Sequence, residues 1–275
     1  MLLRILPVLW LFLLAPFGAS AAEPADVSAA LRLSDVISVM HDEGIGYGDE
    51  LRGELFPEAA GARWSELVGG IYDETRMQLR FSQAFERRLG DDPDALQVLV
   101  DFFASDRGQR IVGLEIDARR ALLDDSVEEA AKGKLEAMRA DRDPRLDLLE
   151  KFAATNDLIE ENVAGSLNAN LAFYQSMADA GAFGADGMSQ DNILSDVWSQ
   201  EPEVRTETEA WLYPYLAMAY GPLSDDDLQA YIAFSETPEA QVLNEALFGA
   251  FDEVFVQISG DLGRAAAGVL AGQDI

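Results

Sequence analysis

Residues 94–111, DALQVLVDFFASDRGQRI, and residues 226–243, DDLQAYIAFSETPEAQVL, decide the fold. Offset by 132 positions, Asp94, Leu96, Gln97, Phe102 and Gln109 recur as Asp226, Leu228, Gln229, Phe234 and Gln241. Ser105 is matched by Thr237, Gly108 by Ala240 and Ile111 by Leu243. The likeness continues in an apolar stripe, where Ile111, Leu114, Ala118 and Leu122 fall on Leu243, Ala246, Ala250 and Val254. Apolar residues three and four apart share one face of a helix, whereas a half-buried strand alternates with period two. Each copy therefore reads as a helix, a break capped by Ser or Thr, and a second helix. Such a hairpin buries its apolar face against a neighbour. A repeat of this kind governs the fold and implies two similar halves.

Working outward, helical signals dominate and no convincing period-two run of β-branched and aromatic residues occurs. The stripe Leu243, Leu247, Ala250, Val254 and Ile258 predicts a long helix. Asp92-Pro93 and Thr237-Pro238 mark helix starts, because proline suits the first turn and the residue before it can cap. Ser224 followed by Asp225, Asp226 and Asp227 is a cap with acids at the positive end of a helix dipole. Asp143-Pro144 ends one helix and begins another, which divides the chain into 23–140 and 144–270. A weaker likeness of Asp35-Val36-Ile37 to Asp157-Leu158-Ile159, at an offset of 122, extends the repeat and implies about ten extra residues in the second half. Gly- and Asp-rich pieces at Gly44–Asp49 and Gly181–Gly187 read as loops, and Ala271–Ile275 as a frayed end. The expected class is all-α, a helical array of two similar halves built from amphipathic hairpins.

The first 22 residues read as a secretory signal peptide. Arg4 makes a short basic start, Ile5–Phe17 is almost wholly apolar, and small residues follow. Cleavage after Ala21 and after Ala22 fit equally well. The apolar run holds Pro7 and Pro16 and falls short of the ~20 residues that span a bilayer, so no stable membrane anchor is expected after cleavage. The expected compartment is the periplasm, or the medium beyond it.

Composition excludes several function classes. The chain has no cysteine, so it has no disulfide, thiol nucleophile or Cys-ligated metal. Twenty Lys and Arg against 50 Asp and Glu give a net charge of −30. Such a surface repels phosphate backbones and anionic lipid, so nucleic acid is not an expected partner. His41 is the single histidine, set beside the glycine-rich Gly44–Gly48, and reads as an exposed helix end. No Gly-x-Ser-x-Gly elbow accompanies it, so no triad is expected. The acidic pieces Asp141–Asp143 and Asp186–Asn192 lack the ligand spacing of a helix–loop–helix calcium site. No motif calls for a metal or a cofactor.

The repeated pattern of Phe, then Ser or Thr, then Gly- or Ala-Gln, between amphipathic helices, resembles the core of the domain-of-unknown-function 2059 family, exported bacterial helical proteins. Phe102, Ser105, Gly108 and Gln109 match that pattern, while Phe234, Thr237, Ala240 and Gln241 depart from it by Thr for Ser and Ala for Gly. The resemblance covers about 30 residues per copy. It implies a helical fold and export, and brings no activity. Caps account for the motif physically. Ser105 and Thr237 cap the second helix, and Gly108 and Ala240 allow close approach. Phe102 and Phe234 fill the hairpin, and Gln109 and Gln241 satisfy backbone groups at the helix start.

One aromatic cluster is a candidate ligand groove: Trp211, Tyr213, Tyr215 and Tyr220. Pro214 within it predicts a kink or break. Trp64 and Tyr72 would lie nearby if the halves pack about a pseudo-twofold axis. The expected function is a non-catalytic periplasmic interaction or ligand-binding module, partnered by a protein or a small apolar ligand. The alternatives are a hydrolase using carboxylates alone, which needs buried acids with raised pKa, and a carrier, which needs a continuous apolar cavity.

Overall fold

Side-chain caps make the helix starts that the sequence marks. Ser105 accepts from the Gly108 N–H and Ser224 from that of Asp227. Thr237 accepts from the Ala240 N–H, and Asp92 from those of Asp94 and Ala95. Each satisfies donors that the first turn leaves without intrahelical partners. The computed structural model describes residues 21–55, 61–184 and 188–272, so nearly all of the signal-peptide segment lies outside the described residues. Those described form helices and no strand.

Thirteen helices follow in order: α1 (Pro24–Ala30), α2 (Leu33–Leu55), α3 (Gly61–Ile71), α4 (Glu74–Leu89), α5 (Pro93–Phe103), α6 (Asp106–Ala121), α7 (Asp125–Asp141), α8 (Arg145–Thr155), α9 (Leu158–Asp179), α10 (Gln190–Ser199), α11 (Glu201–Tyr220), α12 (Asp225–Ser235) and α13 (Pro238–Leu270). The expectation of an all-α fold holds for the described residues.

Three local expectations are corrected. Gly44–Asp49 is no loop but the middle of α2. Gly44 and Gly48 lie one turn apart on a single face, and a Cβ there would sit 2.1 Å from the Tyr72 ring and 2.5 Å from the Val68 side chain. These glycines are absent side chains that let α3 press against α2, rather than turn residues. His41 accordingly sits within α2, partly buried, with Nδ1 2.7 Å from the Tyr72 carbonyl just past the end of α3. Finally, α11 runs through Pro214 without a break. Proline removes one backbone hydrogen bond there, and burial of Leu212, Leu216 and Ala217 around it holds the helix in place.

Two main cores result. The first gathers side chains from α1 to α5, Val112 and Ile116 of α6, and the stripe Leu243, Ala246, Ala250, Val254 and Ile258 of α13. The second gathers α8, α11 and α12 around Ile111 and Ala118 of α6 and Leu135 of α7. A smaller third cluster joins α9, α10 and the start of α11. The long α13 packs mainly on α9 and α4. Likewise α6 and α7 pack on α11.

Candidate functional site

Helix α6 borders both cores. Ile111 and Ala118 face the second, Val112 and Ile116 the first. Glu115 falls between these two stripes, one turn from Arg119. Both line a cavity of about 210 Å3, walled by α2, α5, α6, α11, α12 and α13 and by the junction after α8. Most of the wall is apolar: Leu33, Val36, Val39, Leu243 and Leu247, with the rings of Phe103, Phe234 and Phe251. An apolar concavity holding a few convergent polar groups is the usual form of a small-molecule site.

The polar groups form one network. Tyr220 donates its hydroxyl to Glu115 Oε1 at 2.6 Å, and the Tyr231 hydroxyl lies near the same carboxyl. The Tyr215 hydroxyl reaches the Glu115 carbonyl at 3.4 Å. Arg119 donates Nε and Nη2 to the two Glu43 oxygens at 2.7 and 2.8 Å, a two-pronged ion pair tying α6 to α2. At the far wall, Asn244 Nδ2 donates to the Asn156 carbonyl at 3.0 Å, and Asn156 Nδ2 donates to the Phe152 carbonyl at 3.0 Å.

This setting decides protonation. Burial among apolar side chains pushes the Glu115 carboxyl up to about 7, although the Tyr220 and Tyr231 hydroxyls pull the other way. Tyr220 and Tyr231 are raised well above the ordinary phenol value by burial and by the nearby Glu115 charge, so both stay donors. Burial alone would lower Arg119, yet the Glu43 partner more than offsets it, and the guanidinium stays charged.

The four aromatic residues expected to form a groove separate. Tyr215 lines the cavity, and Tyr220 is buried behind it against Glu115. Trp211 stacks on Tyr215 with ring centroids 5.2 Å apart and planes 6° off parallel. Tyr213 packs partly buried on the second core and does not line the cavity. Trp64 and Tyr72 belong to the first core, Trp64 donating Nε1 to the Gly48 carbonyl at 2.6 Å. Glu115, Arg119, Glu43 and Tyr231 escaped the sequence reading. The available signal was Ile111-Val112-Gly113-Leu114-Glu115-Ile116, an acid embedded in a helix that is apolar on more than one face.

Of the repeated motif, Phe234 and Ala240 line the same cavity. The Phe102 and Phe234 rings stack with centroids 3.7 Å apart and planes 6° off parallel. A Cβ on Gly108 would come within 2.2 Å of the Phe102 carbonyl, the close approach the glycine permits. Gln109 acts differently from expectation. Its Nε2 donates to the carbonyls of Ala30 and Phe103, at 2.7 and 2.8 Å, so it seals the C-terminal ends of α1 and α5 rather than the start of its own helix. Gln241 does the same for Thr155 and Ser235, at 3.1 and 2.6 Å. Carbonyls at helix ends lack intrahelical donors, which is why an amide nitrogen is used there.

Among the described residues, no three or more His, Asp or Glu side chains converge as a metal-binding group would. Of the acidic segment 186–192, residues 186 and 187 lie outside the described residues, and Ser189 caps α10 by accepting from the Asn192 N–H. Comparison with known protein families, with curated proteins and with solved structures returned no match.

Proposed function

We propose that this protein is a non-catalytic periplasmic module that holds a small, largely apolar ligand in the cavity beside Glu115. The cavity carries this reading: about 210 Å3 between two cores, apolar over most of its wall, with the Glu115 carboxyl, the Arg119 guanidinium, two amides and the Tyr215, Tyr231 and Ser235 hydroxyls at its polar points. Its volume falls below the several hundred Å3 of a drug-sized or lipid-like ligand, which favours a small molecule. The compartment rests on the sequence of residues 1–22. No helix among the described residues is long and apolar enough to cross a membrane.

The hydrolase alternative has weaker support. Acid catalysis by carboxylates alone needs two acids in different protonation states. Glu43, the second acid of this network, is tied to Arg119 on both oxygens and supplies no second proton carrier.

The chain is further read as a duplicated unit, residues 23–140 and 144–270, each a series of helical hairpins, in keeping with the resemblance to the domain-of-unknown-function 2059 family. On this reading α1 to α5 correspond to α8 to α12, and α6 with α7 corresponds to α13. The matched caps and glutamine clamps support it. So do Arg32 and Asp157, which adopt the left-handed conformation, at φ 51° and 50°, just before α2 and α9. These junctions are 125 residues apart, so the Asp35 and Asp157 likeness lies three residues out of register with them. Superposing residues 94–122 on 226–254 tests the duplication, and dissimilar helix geometry there ends it.

The ligand reading is tested by native mass spectrometry of the mature protein purified from a periplasmic fraction. A reproducible adduct is expected, lost in Ala240→Met, which projects a longer side chain into the cavity. Bare mass from the unaltered protein counts against the reading.

A further inference from the structure

The walls of the cavity carry one carboxyl, Glu115, among aromatic rings. This argument rests on the proposal that the cavity holds a ligand. Many of its donors are turned onto the protein, though the Ser235 hydroxyl and further N–H groups of Arg119 and of both asparagine amides are not. Arg119 directs Nε and Nη2 at Glu43. Tyr220 donates to the Glu115 carboxyl, with the Tyr231 hydroxyl close by, and Tyr215 reaches the Glu115 carbonyl. Asn156 and Asn244 use their amide nitrogens on backbone carbonyls. Among the groups that remain are acceptors: the Glu115 carboxyl, with lone pairs beyond those the Tyr220 hydroxyl occupies, and the amide oxygens of Asn156 and Asn244.

Charge agrees with this. Arg119 and Glu43 cancel in their ion pair, so an ionised Glu115 leaves the site with one net negative charge. Aromatic rings line the same space, and such rings attract cations electrostatically. A net charge of −30 enriches cations around the molecule as a whole. An anion would meet the Glu115 charge directly, the Arg119 charge being already answered by Glu43. A neutral apolar molecule would desolvate the acceptors and leave them unpaired, which is costly.

We infer that the cavity takes a small organic cation, an ammonium group carried on a compact apolar body, with the nitrogen at Glu115 and the apolar part against Leu243, Leu247 and Phe251 of α13. The cation favours ionised Glu115, so binding tightens as pH rises through about 7. The groups facing Glu115 do not blur this signal. Tyr215, Tyr220 and Tyr231 are all raised above their ordinary value, and Arg119 stays charged in its pair with Glu43.

Isothermal titration calorimetry on the mature protein decides it with three probes of similar shape: phenethylammonium, 2-phenylethanol and phenylacetate. Phenethylammonium is expected to bind at least tenfold tighter than the alcohol, with phenylacetate weakest, and tighter near pH 8 than near pH 6. Glu115→Gln is expected to lose tenfold or more in affinity for the cation, along with its pH dependence. The pH series on the unaltered protein keeps the test intact should the variant fold poorly. Equal or tighter binding of the alcohol or phenylacetate overturns the cationic class and leaves the cavity as a ligand site. Silence from all three overturns both. Cation affinity indifferent to pH and to Glu115→Gln overturns the assignment of Glu115.

Discussion

At the residue scale, Glu115 and Gly108 show how α6 is set into the molecule. Glu115 is an acid whose folded pKa, about 7, exceeds its ordinary 4.5 because burial disfavours its charge. The folded protein therefore holds this proton more tightly than the unfolded chain. By linkage the penalty is absent below about 4.5, grows as pH rises, and is complete above about 7. It amounts to at most about 3 kcal/mol. In Glu115→Gln, which keeps an acceptor for Tyr220, the stability lost between these pH values should shrink by up to that amount, read as urea midpoints against pH. Identical pH curves for the two proteins would refute the buried-carboxyl account. Gly108→Ala pushes a methyl into the Phe102 carbonyl and should cost about 1–3 kcal/mol. Gly133→Ala in α7 meets nothing within 4 Å and should be neutral or stabilising by up to about 1 kcal/mol. Equal losses at both positions would remove the steric explanation.

At the element scale, the two glutamines do what caps alone cannot. Ser105 and Thr237 satisfy donors at the starts of α6 and α13, within their own hairpins. Gln109 and Gln241 instead fasten the ends of two other helices each, one of them far away in sequence. Truncation leaves two carbonyls short of a donor. Gln109→Ala and Gln241→Ala should each cost about 1–3 kcal/mol by chemical denaturation. Gln→Glu at either position should be at least as damaging, because a carboxylate offers no N–H to a carbonyl. Tolerance of Gln109→Glu would dispose of the clamp. The spacing of Phe, Ser and Gln was legible in the sequence, and so were the caps, since a cap is a contact between residues three apart. The clamp was not legible, because Ala30 lies 79 residues from Gln109. The same limit explains Gly44 and Gly48. Glycine-rich runs often signal turns, and here the Tyr72 and Val68 side chains they accommodate arrive from another helix.

At the scale of the whole molecule, the last helices of the two proposed halves are partly exchanged, α13 still packing on α9 of its own half and α6 still giving Val112 and Ile116 to the first core. Helix α13 supplies its apolar stripe to the core of α1–α5, while Ile111, Ala118 and Leu135 of α6 and α7 enter the core of α8, α11 and α12. Each segment contributes residues to a main core of the other. Residues 21–141 and 142–272, expressed separately, should each lack cooperative thermal unfolding, and mixing them should restore it along with the circular dichroism of the intact chain. A cooperative transition in either fragment alone would contradict the exchange.

The sequence by itself determined the helical class, most of the helix starts and the absence of any thiol chemistry. Each follows from composition or from contacts between residues a turn or so apart, which periodicity and caps encode directly. Only the tertiary structure decided which core each stripe enters, that Glu115 stands between two of them, and that it meets Tyr220 and Tyr231 from more than 100 residues away. One acid among 50 Asp and Glu carries no local mark of burial. Its desolvation, and with it the chemistry of the cavity, arises when distant helices close around it.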